Sequence, residues 1–447
     1  MTKPIVAIVG RTNVGKSTLL NRLAGSRLAI VDDLPGITRD RVLAAASWQE
    51  RELTLIDTGG WQAKPCGVLE QKVKEQVETA ISQADSVIFL VDARDGAIAA
   101  DEEIAELLHA AGKAVVLAVN KVDSIKQSDR VTDFYRLGIG APIAISAHHN
   151  RGIDELMGAV LASLPPSQPC AEESGKLKLA IVGRPNVGKS TLMNMLLGVD
   201  RAIVDEAPGT TRDALDAVVR WDDNEVVLVD TAGIKRRGRV DAGVDYYSLL
   251  RALRAIDRCD VALLLIDASE FVAAQDMHIA GYIIEAGKGM VLLVNKWDLV
   301  LQEQRAEFKR HLERRLKFIS YVPTIYVSAK LGWDVQRILP QAWQVWREGQ
   351  QRLLDSAVKG VIDQAVASHP PPRAGSKQLR IARAHQDKSS LSTFVLRVND
   401  PQLVHFSYRR YLENELRRNF GFRGTPLRLI FTRSARKSDK EKKVVKT

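Results

Sequence analysis

The stretch "GRTNVGKSTL", Gly10 to Leu19, returns as "GRPNVGKSTL", Gly183 to Leu192, with a single residue changed. A loop of the form G-x-x-x-x-G-K-S needs a strand before it and a helix after it, because its backbone N–H groups curl around a phosphate at the helix start. A chain that carries this loop twice must build that strand–loop–helix unit twice. The same offset of 173 carries "PGITRD" (Pro35 to Asp40) onto "PGTTRD" (Pro208 to Asp213). It also carries "DTGG" (Asp57 to Gly60) onto "DTAG" (Asp230 to Gly233). An offset of 175 carries "NKVD" (Asn120 to Asp123) onto "NKWD" (Asn295 to Asp298). The period is far too long for a solenoid repeat and marks the duplication of a whole domain.

Each copy alternates apolar runs with helical stretches. The first has "IVAIVG", "LTLIDTGG", "SVIFLVDA", "AVVLAVNK" and "PIAISA". The second has "LKLAIVG", "VVLVDTAG", "VALLLIDA", "MVLLVNK" and "TIYVSA". Unbroken Val/Ile/Leu runs belong to strands buried on both faces, hence to a parallel sheet with helices above and below. Ligands of such sheets bind beyond the carboxyl ends of the strands, where all the repeated motifs except the proline–glycine segments directly end a run.

A length of 447 residues suits about three domains. The expected boundaries are 1–165 for the first copy, 166–176 for a polar, proline-bearing linker, and 177–348 for the second copy. Residues 349–434 form a third, smaller α+β domain with strand-like "QLRIARA", "STFVLRVN" and "PLRLIF" around a helical "YRRYLENELRRNF". Residues 435–447 are a charged tail, expected to be disordered. The net charge of +10 is uneven: Arg373 to Thr447 holds 19 Lys/Arg against 6 Asp/Glu, which leaves the rest near −3. That basic segment is an electrostatic footprint for nucleic acid or another acidic surface, and equally fits a solvated tail. No apolar run approaches the roughly 18 residues of a membrane span. The three cysteines lack metal-ligand spacing and fit a reducing, cytoplasmic compartment.

The repeated motifs specify a guanine nucleotide. The candidate phosphate loops are Gly10-Arg11-Thr12-Asn13-Val14-Gly15-Lys16-Ser17-Thr18 and Gly183-Arg184-Pro185-Asn186-Val187-Gly188-Lys189-Ser190-Thr191. Lys16 and Lys189 reach the β- and γ-oxygens, and Ser17 and Ser190 offer a hydroxyl to Mg²⁺. In Asp57-Thr58-Gly59-Gly60 and Asp230-Thr231-Ala232-Gly233, the Asp holds Mg²⁺ through water and the last glycine N–H meets the γ-phosphate. Asn120, Lys121 and Asp123, with Asn295, Lys296 and Asp298, read the base. Each Asp accepts from guanine N1–H and the 2-amino group; adenine offers neither, and a site built for such bonds rejects the analogue that lacks them. The two Asn side chains are expected at the major-groove edge of guanine. Ser146-Ala147 and Ser328-Ala329 are expected to offer a backbone N–H to the guanine oxygen. Thr38 and Thr211 are candidates to coordinate Mg²⁺ only when a γ-phosphate is present; Thr210 competes with Thr211.

Two tandem domains with these four motifs, followed by a small basic domain, resemble the Der (EngA) family of bacterial GTPases. The resemblance spans nearly the whole chain, and the duplication is its specific part. It implies two tandem P-loop GTPase domains, each a mostly parallel sheet with helices on both faces, plus a small C-terminal KH-like domain. It further implies GTP hydrolysis to GDP, a cytoplasmic location, and association with the large (50S) ribosomal subunit and its rRNA during assembly. The chain is read as monomeric. A GTP-dependent signalling switch that binds a protein effector is the alternative. The family's third domain departs from RNA-clamping KH domains: "GFRG", Gly421 to Gly424, follows the long helix instead of lying between two helices, and reads as a turn.

The water-orienting glutamine of many switch GTPases is missing. Its position holds Trp61 in one copy and Ile234 in the other. In related GTPases with an apolar residue there, an asparagine in the phosphate loop helps hold K⁺ against the phosphates. Asn13 and Asn186 are the matching residues. The catalytic set expected from the sequence is therefore Asn13, Lys16 and Thr38 at one site, and Asn186, Lys189 and Thr211 at the other.

Overall fold

The computed structural model describes residues 4–24, 43–49, 51–58, 80–82, 84–123, 125–164, 175–198, 216–222, 224–230, 244–374 and 377–433. These fall into two compact bodies, one drawn from residues 1–174 and 236–258, the other from 175–235 and 259–447.

In the first body the strands are β1 (Ile5–Val9), β2 (Leu43–Trp48), β3 (Arg51–Asp57), β4 (Ser86–Asp92), β5 (Val115–Asn120) and β6 (Ile143–Ala144). They form one sheet in the order β2-β3-β1-β4-β5-β6. Every pairing is parallel except β2 with β3. Helices α1 (Lys16–Ala24), α2 (Ala99–Ala111) and α3 (Ile153–Ser163) connect it. All seven residues of β4 are buried. One face packs Ile8, Ile88 and Leu90 against Leu19, Leu23, Leu156 and Val160; the other packs Val9, Phe89 and Val91 against Ile81, Ile104 and Leu108. Two dry faces require strands that are apolar at every position, which explains the unbroken runs.

The second body repeats this sheet. Strands β7 (Leu177–Val182), β8 (Ala217–Trp221), β9 (Asn224–Val229), β10 (Val261–Asp267), β11 (Gly289–Asn295) and β12 (Thr324–Tyr326) take the order β8-β9-β7-β10-β11-β12. Only β8 runs antiparallel, to β9. Its helices are α4 (Lys189–Gly198), α6 (Ala274–Glu285), α7 (Arg305–Arg315) and α8 (Ile338–Gly349). Helix α5 (Val244–Arg258) belongs to the second repeat by sequence but is part of the first body, within which Leu253 packs on Ile5 and Ile56.

The second body also holds the C-terminal domain. Helix α9 (Asp355–Ser368) and helix α10 (Phe406–Phe420) share a core with β15 (Ile381–Gln386), β16 (Thr393–Val398) and β17 (Arg428–Arg433). A two-residue pair, β13 (Arg373–Ala374) and β14 (Lys377–Gln378), precedes that sheet. β15 runs antiparallel to β16, and β16 parallel to β17.

The "GFRG" segment is a turn, as its place after the long helix suggested, and it joins this domain to the second GTPase sheet. Gly424 donates its N–H to Tyr321 O (3.0 Å) and accepts from Met290 N–H (2.7 Å). Arg423 N–H donates to Glu348 Oε2 at 2.7 Å. The Arg417 guanidinium lies 3.7 Å from the centre of the Tyr321 ring. Gly424 has φ +70°, and a Cβ there would meet Met290 O at 2.6 Å, so both backbone and space demand glycine.

Candidate nucleotide-binding sites

Each phosphate loop leaves the end of a central strand and enters a helix, β1 to α1 and β7 to α4. Buried Val14 and Val187 anchor the loop apices. Gly15 and Gly188 sit at φ +100° and +101°, and a Cβ on either would lie 2.4 or 2.3 Å from the side-chain nitrogen of Asn120 or Asn295. The loop and the N-K-x-D segment therefore interlock through a glycine.

That interlock involves the two asparagines. Asn120 Nδ2 donates to Val14 O (2.7 Å) and its Oδ1 accepts from Ala147 N–H (3.0 Å). Asn295 does the same with Val187 O (2.8 Å) and Ala329 N–H (2.9 Å). Both side chains are buried. They tie three loops together, each amide joining the phosphate loop to the Ala147 or Ala329 N–H. A buried amide finds its partners in nearby backbone groups, which residue type alone does not reveal.

The lysines rest on their own loops. Lys16 Nζ donates to Gly10 O (2.9 Å) and Arg11 O (2.7 Å); Lys189 Nζ donates to Gly183 O (2.9 Å) and Arg184 O (2.5 Å). Burial disfavours the charged form and brings both ammonium groups down to about 8, with Asp57 pulling Lys16 partly back and Asp276 doing so for Lys189. Ser17 Oγ donates to Asp57 Oδ2 at 2.8 Å. Two oxygen donors in contact beside a lysine suit a hard divalent cation. At the second site the chain turns through φ +59° at Asp230, whose N–H donates to Asp216 Oδ1 at 3.0 Å. Thr58 Oγ1 donates to Ile8 O at 3.0 Å, a structural bond.

Asn13 and Asn186 have φ +64° and +63°, the left-handed region that asparagine tolerates better than most residues. That is a backbone reason for asparagine in both loops; both residues are exposed. Lys121 Nζ donates to Asn13 O (2.8 Å) and pairs with Asp92 Oδ2 (2.5 Å). Lys296 pairs with Asp267 in the same way. Around Asp123 stand Ser146 Oγ (2.8 Å), Arg94 Nη2 (2.8 Å) and, further off, His149 Nε2 (3.9 Å). The Ser146 hydroxyl first, then Arg94, hold its carboxyl below the usual carboxylate range. Asp298 lies in a short turn whose tryptophan, Trp297, stacks on Tyr326 at 4.4 Å. Thr38, Gly59, Gly60, Thr211, Thr231, Ala232 and Gly233 lie outside the described residues, as do Trp61 and Ile234.

Two features escaped the sequence reading. Arg11 Nε lies 3.3 Å from buried Asp101, and Arg184 Nε 2.9 Å from buried Asp276, so the phosphate loops are pinned to α2 and α6, the helices that follow β4 and β10. Burial raises both carboxyls, while the arginines work against it. Asp92 and Asp267, the lysine partners, were also missed. The signal was present: all these residues recur at the repeat offsets of 173 or 175.

The family model described as "50S ribosome-binding GTPase" matches residues 5–121 and again 178–296. The model "KH-domain-like of EngA bacterial GTPase enzymes, C-terminal" matches residues 352–432. The chain is 47% identical over 435 residues to the GTPase Der of Moorella thermoacetica, covering 97% of this chain and 99% of that one. It is 46% identical over 430 residues to GTPase Der of Caldanaerobacter subterraneus subsp. tengcongensis, covering 96% and 98%. The chain belongs to the Der (EngA) family of GTPases. As a Der-family chain it binds GTP and is a GTPase, and its two α/β bodies and KH-like domain are those the motifs foretold. Among the described residues, no helix is long and apolar enough to cross a membrane.

Proposed function

We propose that this chain is a cytoplasmic, monomeric assembly factor of the large ribosomal subunit, which joins pre-ribosomal particles and their rRNA under the control of GTP. The observation that carries this reading is the pairing, on one chain, of two matching nucleotide cradles with a KH-like domain in the basic C-terminal segment, which holds 19 Lys/Arg against 6 Asp/Glu.

At each site the Asp of N-K-x-D, Asp123 or Asp298, accepts N1–H and the 2-amino group of guanine. The asparagines position that segment against the phosphate loop. Lys16 and Lys189 leave their carbonyls for the β- and γ-phosphate oxygens, supplying charge where it develops as the β–γ bridge opens. Ser17 and Asp57, and at the second site Ser190 and Asp230, would hold Mg²⁺, with Thr38 and Thr211 joining them when a γ-phosphate is present; the ion would supply positive charge for the phosphates. With Trp61 and Ile234 unable to orient water, loop backbone N–H groups and the exposed amides of Asn13 and Asn186 remain to organise the γ-phosphate, the amides by holding K⁺. Water attacks the γ-phosphorus in line, and the products are GDP and phosphate.

Two measurements test this. In cell extract, the chain is expected to sediment with the large subunit in a non-hydrolysable GTP analogue and to leave it in GDP; identical profiles would remove the assembly reading. Exchanging K⁺ for Na⁺ at fixed ionic strength is expected to slow GTP turnover, and unchanged turnover removes the monovalent-cation role.

A further inference from the structure

Asp123 and Asp298 hold the same place in the two copies, but their surroundings differ. At the first site Arg94 Nη2 lies 2.8 Å from Asp123 Oδ2, and Ser146 Oγ 2.8 Å from Oδ1. Ser146 is buried, so its hydroxyl approaches from beneath. The Arg94 side chain is 59% exposed and approaches from the solvent side. The repeat places Ser269 where the first copy has Arg94. Ser269 Oγ donates to Asp267 at 2.6 Å, and no ion pair to Asp298 is found among the described residues.

We propose that Arg94 is a guanine surrogate: without nucleotide it occupies the carboxylate that reads the base, and so sets a lower apparent affinity at the first site than at the second. This rests on the reading of Asp123 as the acceptor for guanine. A carboxylate has room for a hydroxyl beneath and one donor fork in front. Guanine presents a fork of two N–H groups, and a guanidinium presents a similar fork with a positive charge. The two exclude each other, whereas Ser146 stays in place for both. An exposed ion pair of this kind favours the closed form by a factor of up to about five. Apparent affinity falls by the fraction of chains that are open. The loss appears in association alone, because Arg94 has already left once the base is seated.

The test uses the full chain carrying Lys189→Ala, so that fluorescent GDP reports the first site only. Adding Arg94→Ser is expected to raise the association rate about two- to fivefold, to leave dissociation unchanged, and to have less effect at high salt. In the full chain carrying Lys16→Ala, Ser269→Arg is expected to slow association at the second site by a similar factor. An unchanged association rate with Arg94→Ser overturns the proposal. So does faster dissociation, which would place Arg94 on the bound nucleotide. Asp123→Asn in the same background separates the two readings. If it leaves GDP binding intact, Asp123 does not read the base and both fall. If it abolishes binding while Arg94→Ser changes nothing, only the surrogate falls.

Discussion

The two GTPase sheets share their strand order, and their phosphate loops share lysine contacts, left-handed asparagines and a pinning Arg–Asp pair. Around the base they part. The first mouth is polar, with Arg94, His149 and Ser146 grouped at Asp123. The second is apolar, with Leu299, Leu331 and Trp333 exposed by 61%, 51% and 51%. Phosphate is the ligand proposed for both loops, and its chemistry leaves little freedom. Residues at the rim answer to whatever approaches from outside, so duplication there permits divergence.

The largest effect is expected where the copies agree. Asp276 is buried against Arg184 at 2.9 Å, and its other oxygen accepts Ala273 N–H at 3.0 Å. Removing one partner of a buried pair costs about 3–5 kcal/mol when the other charge is left uncompensated, and Glu270, 3.0 Å from Arg184, holds the cost to the lower end of that range. Asp276→Ala should lower the stability of the second body by that order in denaturant unfolding. Asp101→Ala should cost the first body less, because its pair is longer at 3.3 Å against 2.9 Å, while each arginine keeps a second carboxylate, Asp95 for Arg11 and Glu270 for Arg184. A larger loss at Asp101 would show that pair length does not rank these contacts.

Next come the lysines. Lys16→Ala and Lys189→Ala each remove the ammonium proposed to meet the phosphates, with an expected loss of about 2–5 kcal/mol in nucleotide binding, or roughly 30- to several-thousandfold. Titration should then show one site surviving in each variant. Complete loss of binding in either variant would mean that the two sites are not independent.

The parallel strands were legible because burial on both faces forces unbroken apolar runs, as in β4 and β10. The antiparallel edge strands β2 and β8 were not. Buried Ala44 and Ala46 give β2 its inward face, and alanine carries almost no strand signal. The motifs that chemistry fixes by residue type, the glycine loops with their lysines and the two N-K-x-D segments, could be placed from the sequence at the ends of their strands. The site was illegible where a side chain serves other protein groups. Asn120 ties loops, Asp101 pins Arg11, and Arg94 meets Asp123 across 29 positions of sequence.

A smaller effect follows from the buried ammonium groups. Both lysines fall to about 8, and bound phosphate would raise them again. The complex then keeps its proton to higher pH than the free chain. Affinity is full below pH 8 and declines as pH rises through and beyond it, by at most about tenfold per unit per site. Calorimetry of GDP binding near pH 8.5 in two buffers of different ionisation heat should show proton uptake, of like size when either site is studied alone. Uptake at only one site would locate a difference between the copies in the lysines, whose contacts to the loop carbonyls match.

The smallest effect probes the rims. Ser146 Oγ donates to Asp123 at 2.8 Å, whereas Ser328 Oγ accepts Leu331 N–H at 3.3 Å and makes no hydrogen bond to Asp298 among the described residues. A hydroxyl fixed on a partly exposed carboxylate is worth about 1 kcal/mol, or close to fivefold in binding. Ser146→Ala should weaken GDP at the first site by that factor, and Ser328→Ala should change the second by less than about twofold. Equal losses would mean that Ser328 turns onto Asp298 once a base is seated. The contrast between the two mouths would then belong to the chain without nucleotide alone, and bound guanine would restore at the base the symmetry that the phosphate loops never lose.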